Sequence, residues 1–494
     1  MKITKGFTWA RERGGLLRGA GLAFLAACSS AAPKTSLRDE VPADFRVETA
    51  FEARATTEPF PGLKLSRFRH RKSGLDVLFV PKPGTGVVAT VVAYRVGSRF
   101  ERPGRTGLAH LFEHMMFRGT ESFPEPFKTL SGWGDRFNAY TSDDLTLYHE
   151  LVTTDVFPEA LRFEAERMRK LLITPEGFNT ERGAVVSERK MRTEDSPMGR
   201  GFWELNQLAF DVHPYKTSPI GWQEDLEATS FQDALDFYKR YYAPNRASLV
   251  IVGDVELRTA LALVEKNFGA FEPVAFQEPK IPAEPPRKKA KRRVITMKTE
   301  SVLFGDMAEG PTYASRDAAA RSLSMVLFGE SKLGYLVGRL VDTGLAKVVG
   351  ADASPSMDPH LQGIYMQGNP GVPLAKLEAA YEDAKRGFLP WLTAERLERI
   401  KLYYLASQYE GLRDPMSLAS DLGRALATTE DPAWDFKSLE AIKAVTLPEV
   451  RAAWNAWVAA VKVQIAVVPG DVPTPFGRAP KVAAPTTKSK GARR

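Results

Sequence analysis

Cysteine and histidine are scarce in this chain, which has one cysteine, Cys28, and six histidines among 494 residues. A single cysteine excludes any disulfide within the chain. Long apolar runs are also lacking near the N-terminus, where the run from Gly19 to Ala27 is too short to span a bilayer. With so few histidines, their positions are informative, and two of them, His110 and His114, lie four residues apart.

The folded part of the chain also lacks excess basic charge, as the net charge of each segment shows. The total is +8, but residues 1–27 carry +4, residues 287–293 carry +6 and the residues after Asp471 carry +6, which leaves about −8 for the remainder. This distribution argues against a nucleic-acid-binding surface. We expect the basic run RKKAKRR (287–293) to be a solvated interdomain linker; the alternative is an interaction with anionic lipid or a partner.

The first 28 residues have the features of an export signal. A basic leader precedes the short apolar run, which ends in Leu25-Ala26-Ala27-Cys28. Small residues directly before a cysteine are typical of a bacterial lipobox, in which the thiol takes lipid. We therefore expect residues 1–27 to be removed and Cys28 to anchor an exported lipoprotein to a membrane. Because Ser29 follows and not aspartate, we expect the periplasmic side of the outer membrane; the alternative is an ordinary export signal with a chance cysteine.

An internal repeat divides the chain, which is too long for one hydrophobic core, into two halves. Residues 228–255 and 444–472 share a serine or threonine at a predicted helix start, an amphipathic helix with aromatic residues, and a β-type run ending in Gly-Asp-Val. The sequence predicts six segments: a signal peptide at 1–27, a flexible tether at 28–58, an N-terminal domain at 59–275, a proline-rich basic linker at 276–293, a C-terminal domain at 294–472 and a disordered basic tail at 473–494.

Strand-type and helix-type runs alternate irregularly in both halves. Two strand-type runs are adjacent, LDVLFVPKP (75–83) and VATVVAYRV (88–96). This pattern favours an α+β fold over a doubly wound sheet. We predict two homologous α/β sandwich domains, each with a mixed, largely antiparallel sheet and helices packed on one face.

The motif HLFEH, residues 110–114, places two imidazoles and a carboxylate in an otherwise apolar segment. Positions i and i+4 share one face of a helix, so His110 and His114 can bind one cation at about 2.0–2.1 Å. Glu113 flanks that face and can accept a proton from water activated by a metal. The alternative, two core histidines beside a chance glutamate, leaves three polar groups uncompensated in an apolar helix. The pattern favours a catalytic zinc site.

A third ligand has to come from elsewhere in the chain. In NTERGAVVSERKMR (179–192), Thr180 is predicted to cap a helix in which Glu181 and Glu188 lie seven residues, or two turns, apart. Both carboxylates therefore share one helix face. On these residues alone, two surface glutamates would also explain the pattern.

The order His-x-x-Glu-His and its surroundings resemble the M16 metallopeptidases, the pitrilysin- and insulinase-like family, and in particular their short processing-peptidase-type branch. The resemblance covers both halves of the chain and extends through four segments: 97–120, 137–152, 181–192 and 241–255. It implies a zinc-dependent endopeptidase that hydrolyses peptides or unfolded protein segments, with one zinc ion per chain.

The resemblance also implies roles for individual residues. It implies that His110, His114 and Glu188 are the zinc ligands. Glu113 is then the general base, and Glu181 is a carboxylate that orients one of the ligands. Asn138 and Ala139 match an Asn-Ala pair on the edge strand beside the zinc. A peptide substrate is expected to add to that edge as a further strand.

A pair of residues typical of active members is missing. The family usually takes an arginine and a tyrosine, seven residues apart, from the C-terminal domain to hold the substrate carbonyl and the developing oxyanion. Aligned on Gly344-Leu345-Ala346, this chain has Leu340 and Lys347 at those positions. Arg339 is one residue out of register and is expected to point about 100° away on a helix.

The missing pair leaves three interpretations. We prefer the one in which a homologous partner subunit supplies the arginine and the tyrosine. Alternatively, a homodimer or monomer uses Lys347 as a substitute electrophile. In the third, the chain is a non-catalytic scaffold subunit of an M16-like complex. The complete zinc set argues against a scaffold, because a scaffold has no physical need for those residues.

Overall fold

The computed structural model describes residue 37, residues 41–330 and residues 332–479, and these form two β-sheets flanked by helices. Cys28 lies outside the described residues. The strands of the N-terminal half are β1 Phe51–Phe60, β2 Leu63–His70, β3 Asp76–Pro81, β4 Val87–Tyr94, β5 Phe137–Thr141, β6 Thr146–Thr153 and β7 Ala247–Gly253. The strands of the C-terminal half are β8 Lys291–Met297, β9 Leu303–Glu309, β10 Ala346–Asp352, β11 Leu361–Gly368 and β12 Val463–Pro469.

Helices connect the strands and cover the sheets. Those of the N-terminal half are α1 Val47–Ala50, α2 Leu108–Met115, α3 Pro126–Trp133, α4 Phe157–Arg169, α5 Pro175–Arg189, α6 Pro197–Ala209, α7 Gln223–Ala228, α8 Phe231–Tyr241 and α9 Leu257–Phe268. Those of the C-terminal half are α10 Ala318–Gly329, α11 Leu374–Trp391, α12 Ala394–Gly411, α13 Pro415–Thr429, α14 Trp434–Ala444 and α15 Leu447–Ala459. Short π-helical turns occur at Lys190–Glu194 and Val337–Val341. Within the described ranges, no helix has the length and apolar character that crossing a bilayer requires.

The two sheets repeat one arrangement of strands. The order is β3-β7-β4-β6-β5 in the first and β8-β12-β9-β11-β10 in the second, and the first sheet adds β2 and β1 beyond β3. In each repeat one pair is parallel, β3 with β7 and β8 with β12, and the other pairs are antiparallel. The helices that precede β7 and β12 both begin with a capping box, at Ser230 and Thr446. The predicted fold class is confirmed.

Each sheet has helices of its own half on one face and a helix of the other half on the second face. On the N-terminal sheet, Val92 belongs to the core formed with α2, α4, α8 and α9, whereas its neighbour Val91 packs with α13. On the C-terminal sheet, Leu303 packs with α6. The helices on one face were predicted. The exchanged helices were not, because the local sequence does not show which sheet a helix covers.

The folded body extends beyond the predicted domain bounds at three points. β1 begins inside the predicted tether, because its backbone pairs with β2 although the side chains of residues 53–58 are all exposed. β8 begins inside the predicted linker, as an edge strand that carries the charged side chains typical of exposed edges. Residues 473–479, assigned to the tail, include Phe476, which packs against the N-terminal core.

The helix that carries Glu181 and Glu188 begins earlier than predicted. The N-cap of α5 is Thr174, whose hydroxyl accepts a hydrogen bond from the amide of Gly177. Thr180, the predicted cap, lies inside the helix and donates its hydroxyl to the carbonyl of Glu176. That prediction was wrong because Thr174 is followed by proline, which favours the first helical position.

Candidate metal centre

The helix of the HLFEH motif, α2, begins without a capping side chain of its own. Gly107 precedes it with a φ of +86°, and a Cβ there would lie 2.7 Å from the carbonyl oxygen of Ile220. The carboxylate of Glu101 accepts hydrogen bonds of 2.9 Å from the amide of Gly107 and 2.7 Å from that of Ala109. Burial raises the pKa of Glu101 to about 8 in spite of these bonds. Contacts with Glu101 and Ile220, outside the helix, therefore determine where α2 starts.

The apolar residues of α2 bury one side of the helix in the N-terminal core. Phe112 has no exposed surface, and its ring stacks on that of Tyr238 with centroids 5.4 Å apart. His110 and His114 lie one turn apart, with ring centroids separated by 4.9 Å. The helix that packs beside them is α5. The apolar surroundings of the motif thus anchor the helix and leave the imidazoles to face α5.

A carboxylate of α5 meets the two imidazoles. Glu188 Oε2 lies 3.2 Å from Nε2 of His114 and 3.9 Å from Nε2 of His110. Each of the three residues offers one ligand atom, and these atoms lie within 4.8 Å of one another. Within the described part of the chain, no other group of three or more potential ligands is this close. The structure therefore brings together the three residues assigned as ligands.

Glu181, two turns before Glu188, contacts the far side of His114. Its Oε2 lies 3.3 Å from Nδ1 of His114, and its Oε1 accepts a hydrogen bond of 3.0 Å from Arg118. A proton on Nδ1 leaves the lone pair of Nε2 for a metal ion. Although burial opposes it, the contacts with His114 and Arg118 lower the pKa of Glu181. These positions suit the predicted orienting role.

Arg192 contacts the second oxygen of Glu188. Its Nε lies 2.9 Å from Glu188 Oε1, one turn along the chain. Burial raises the pKa of Glu188, but the hydrogen bond from His114 and the charge of Arg192 outweigh it and lower the pKa to about 2. The carboxylate is therefore ionised, with Oε2 directed at the imidazoles. The sequence interpretation missed this contact, although the i,i+4 spacing of Glu188 and Arg192 indicates it.

The two imidazoles have different pKa values. Burial lowers the pKa of His110 to about 3, so that its ring is neutral and can donate a lone pair. Burial also acts to lower the pKa of His114, but the hydrogen bonds to Glu181 and Glu188 outweigh it and raise the pKa to about 9. Glu181 and Glu188 therefore stabilise a positive charge at His114, whether that charge is a proton on the ring or a metal ion bound to it.

The donor set fits zinc. Catalytic zinc sites take three protein ligands, usually imidazole nitrogens with or without a carboxylate oxygen, and keep a fourth position for water or substrate. His110, His114 and Glu188 supply two nitrogens and one oxygen at the convergence point of two helices. Two contacts from outside the set hold these side chains in place, from Glu181 to His114 and from Arg192 to Glu188.

Glu113 lies beside this cluster and is not one of its members. Its Oε2 accepts a hydrogen bond of 2.6 Å from the hydroxyl of Thr141 on β5. Burial raises the pKa of Glu113, against the effects of Thr141 and His114. A carboxylate with a raised pKa suits proton transfer near neutral pH. The sequence interpretation did not single out Thr141, because its contact depends on how β5 packs against α2.

The strand β5 is an edge strand and pairs with β6 alone in the described sheet. Asn138 is exposed on it, whereas Ala139 is buried and packs into the N-terminal core. Ala139 can therefore contact a substrate only through its backbone. Because Thr141 reaches Glu113 from the same strand, the open edge of β5 runs beside the metal site.

The two positions where the family has its oxyanion-binding arginine and tyrosine, Leu340 and Lys347, differ in their surroundings. Leu340 has no exposed surface and packs in the C-terminal core. Arg339 pairs with Asp383 on α11, with 2.6 Å between nitrogen and oxygen, so it is engaged elsewhere as its register indicated. Lys347 is exposed on β10, the edge strand that corresponds to β5 in the repeat.

Both halves of the chain are similar in sequence to known proteins. Residues 76–217 match the family described as insulinase (peptidase family M16), and residues 229–402 match the family described as the peptidase M16 inactive domain. The chain is 30% identical over 364 residues to the zinc protease PqqE of Helicobacter pylori, a match that covers 70% of this chain and 80% of that protein.

Solved structures with the same fold include two bacterial proteins. One is a protease from Helicobacter pylori, with a TM-score of 0.77 and 26% identity, and the match covers 82% of this chain and 100% of the other. The second is a peptidase M16 inactive domain from Pseudomonas fluorescens, with a TM-score of 0.72, 17% identity and coverage of 84% and 100%. At 17% identity, the second likeness shows the fold alone.

Proposed function

The chain belongs to the M16 family of peptidases, and from the geometry of its metal centre we propose that it is a zinc-dependent endopeptidase that hydrolyses peptides or unfolded protein segments. The observation that carries the proposal is the convergence of His110, His114 and Glu188. The carboxylate of Glu113 lies beside them and accepts a hydrogen bond from Thr141. The name of the relative PqqE, a zinc protease, supports the same chemistry.

Three side chains would hold one zinc ion, which supplies Lewis-acid activation of water and of the scissile carbonyl: His110, His114 and Glu188. Glu181 accepts the Nδ1 proton of His114 in a hydrogen bond and so keeps the tautomer that presents Nε2. Arg192 holds Oε1 of Glu188 and leaves Oε2 for the ion. The ligand set is thus oriented before any substrate arrives.

Glu113 is the proposed general base and, later, the general acid. It takes a proton from the attacking water and returns it to the departing amine. Because Thr141 already donates to Oε2 of Glu113, we assign the proton transfer to Oε1. Because burial raises the pKa of Glu113, its protonated form is accessible nearer neutral pH, which assists the return step.

The substrate would bind as an additional strand on the open edge of β5. Backbone hydrogen bonds to the Asn138–Ala139 segment would align the scissile bond with Glu113 and the metal ligands. Such binding reads extended backbone more than side-chain sequence. The proposed substrates are therefore flexible peptides or unfolded segments, whose backbone groups are free to pair with the strand.

We predict that the chain alone is a slow peptidase and that a homologous subunit with the missing arginine and tyrosine accelerates it. Loss of one oxyanion-binding group typically costs about 10²–10³ in kcat. The deficit should lie in kcat and not in KM, because the edge of β5 is intact. The measurement is hydrolysis of an unstructured peptide by this chain, by the candidate partner and by their mixture, each with zinc removed and restored.

The variant Lys347→Ala separates the two catalytic interpretations. If Lys347 is a substitute electrophile, the variant loses most of the remaining rate; if a partner supplies the missing groups, the rate is unchanged. Arg339→Ala is the matched control, since Arg339 pairs with Asp383. Fast hydrolysis by the chain alone, unchanged in Lys347→Ala, would rule out both interpretations. Zinc binding without hydrolysis in any mixture would favour the scaffold interpretation.

We also propose that the protein is an exported lipoprotein, anchored through Cys28 on the periplasmic side of the outer membrane. The support is the lipobox-like sequence, since Cys28 lies outside the described residues. Cys28→Ala is expected to remain unprocessed or to become soluble. Intact-mass measurement of the mature parent should find lipid on a chain that begins at Cys28. An unmodified mature chain that begins elsewhere would contradict this proposal.

A further inference from the structure

Residues 470–477, which we call the C-terminal strap, return from β12 to the N-terminal half. The amide of Thr474 donates to the carbonyl of Thr296 on β8, and the amide of Thr296 donates to the hydroxyl of Thr474, both at 2.8 Å. Arg200 on α6 donates to the carbonyl of Pro475 at 2.9 Å. The strap is therefore held by backbone and side-chain hydrogen bonds to both halves.

Phe476 anchors the strap in a cluster of rings and guanidinium groups. Its ring centroid lies 5.3 Å from that of Trp203 and 6.1 Å from that of Trp222. The guanidinium carbons of Arg189 and Arg200 lie 4.6 and 4.4 Å from the same centroid. Such distances allow cation–π attraction, which is strongest for desolvated charges.

Arg189 is the residue that follows the proposed ligand Glu188, and only 1% of it is exposed. Its Nε donates to the carbonyl of Gly221 at 2.9 Å, and its Nη1 forms an ion pair with Glu194. A buried charge needs such partners, because an uncompensated one is strongly destabilising. The guanidinium of Arg189 is stacked against two rings, those of Phe476 and Trp203, whose centroids lie 4.6 and 5.2 Å from its carbon.

Gly221 connects this arginine to the second ligand helix. A Cβ on Gly221 would lie 2.4 Å from the amide nitrogen of Gly107, so the two backbones are in direct contact. Gly107 immediately precedes α2, the helix of His110. Arg189 therefore joins the end of α5 to the start of α2 through one hydrogen bond and one backbone contact.

We propose that the C-terminal strap positions the metal ligands, with Phe476 as a positioning residue that acts through Arg189. By packing on the guanidinium, Phe476 keeps Arg189 bound to Gly221 and so maintains the spacing of Glu188 from His110. The contact lies where the regular helix ends, since a π-helical turn, Lys190–Glu194, follows Arg189 directly. The proposal rests on the proposed function only in taking the ion to be zinc.

The test is the rate at which zinc leaves the purified full-length protein in an excess of chelator. Loss of a group hydrogen-bonded to a metal ligand typically lowers metal affinity about 10- to 100-fold. Because Phe476 acts one step further away, through Arg189, Phe476→Ala is expected to release zinc about 10-fold faster, at the lower end of that range. Phe476→Tyr keeps the aromatic face at a partly exposed position and should restore the parent rate. Release is measured without substrate, so the result does not depend on peptidase activity.

Two further variants separate ligand positioning from general stability. Val472→Ala alters the same segment at a side chain that is 82% exposed, and should behave like the parent. Leu439→Ala removes packing from the C-terminal core, away from the strap contacts, and serves as a variant of lowered stability. Its zinc release should stay at the parent rate.

A second measurement, hydrogen exchange of the amides of residues 185–194 in metal-free protein, keeps the two proposals distinguishable. Exchange there should rise in Phe476→Ala and not in Leu439→Ala. If the parent binds no zinc, the proposed function is overturned and exchange alone decides the role of the strap. Exchange at the parent level in Phe476→Ala, or zinc release no faster than in Leu439→Ala, would overturn the strap proposal.

Discussion

Replacing Glu113 with glutamine is expected to lower kcat for peptide hydrolysis by about 10²- to 10⁴-fold, the usual contribution of a general base. Glutamine has nearly the same shape and can still accept the hydrogen bond from Thr141, but it cannot take a proton from water. Zinc content and peptide affinity should therefore be unchanged. The measurements are kcat and KM on an unstructured peptide, with metal analysis of the same samples.

The control for this variant is Glu121→Gln, which makes the same chemical change at an exposed residue outside the metal centre. It should retain the kcat of the parent. Hydrolysis near the parent rate in Glu113→Gln would exclude Glu113 as the base. A loss of zinc together with activity would instead make Glu113 a ligand, contrary to its position beside the cluster.

Replacing His114 with alanine is expected to reduce bound zinc from one ion per chain to near zero and to abolish hydrolysis. His114 supplies the nitrogen nearest to Glu188, at 3.2 Å, and without it only two of the three protein ligands remain. Elemental analysis of the purified protein, before and after dialysis against a weak chelator, measures the loss.

His149→Ala is the matched control for the loss of an imidazole. His149 lies on β6 and does not belong to the ligand cluster, so its removal should leave one zinc ion per chain. Full retention of zinc in His114→Ala would refute the assigned site. Equal losses in both variants would indicate that stability, and not ligation, controls the metal content.

Local patterns predicted the parts of the site that lie on one helix. The i,i+4 spacing of His110 and His114 places both on one face of any helix, so both candidate ligands and the flanking Glu113 followed from five residues of sequence. Glu188 was different. Its spacing from Glu181 fitted an ordinary exposed helix face equally well, and only the resemblance to M16 peptidases distinguished a ligand from a surface residue.

Contacts between distant segments could not be predicted, because they depend on how the elements pack. Thr141 contacts Glu113 across 28 residues of sequence, and Phe476, near the C-terminus, contacts Arg189 in the N-terminal half. The same limit applies to α13, whose amphipathic pattern shows that one face is buried but not against which sheet. The start of α2 is a related case, since its capping carboxylate, Glu101, lies outside the helix.

The exchange of α6 and α13 between the sheets has a consequence for the order of events during synthesis. The second face of the N-terminal sheet, which includes Leu78, Val91 and Val250, is covered by residues of α13. The N-terminal half therefore keeps an apolar surface bare until Pro415–Thr429 have left the ribosome. Exposed surfaces of this kind promote aggregation and recruit chaperones. The nascent chain is thus most vulnerable after the N-terminal half has been translated and before the C-terminal half is complete.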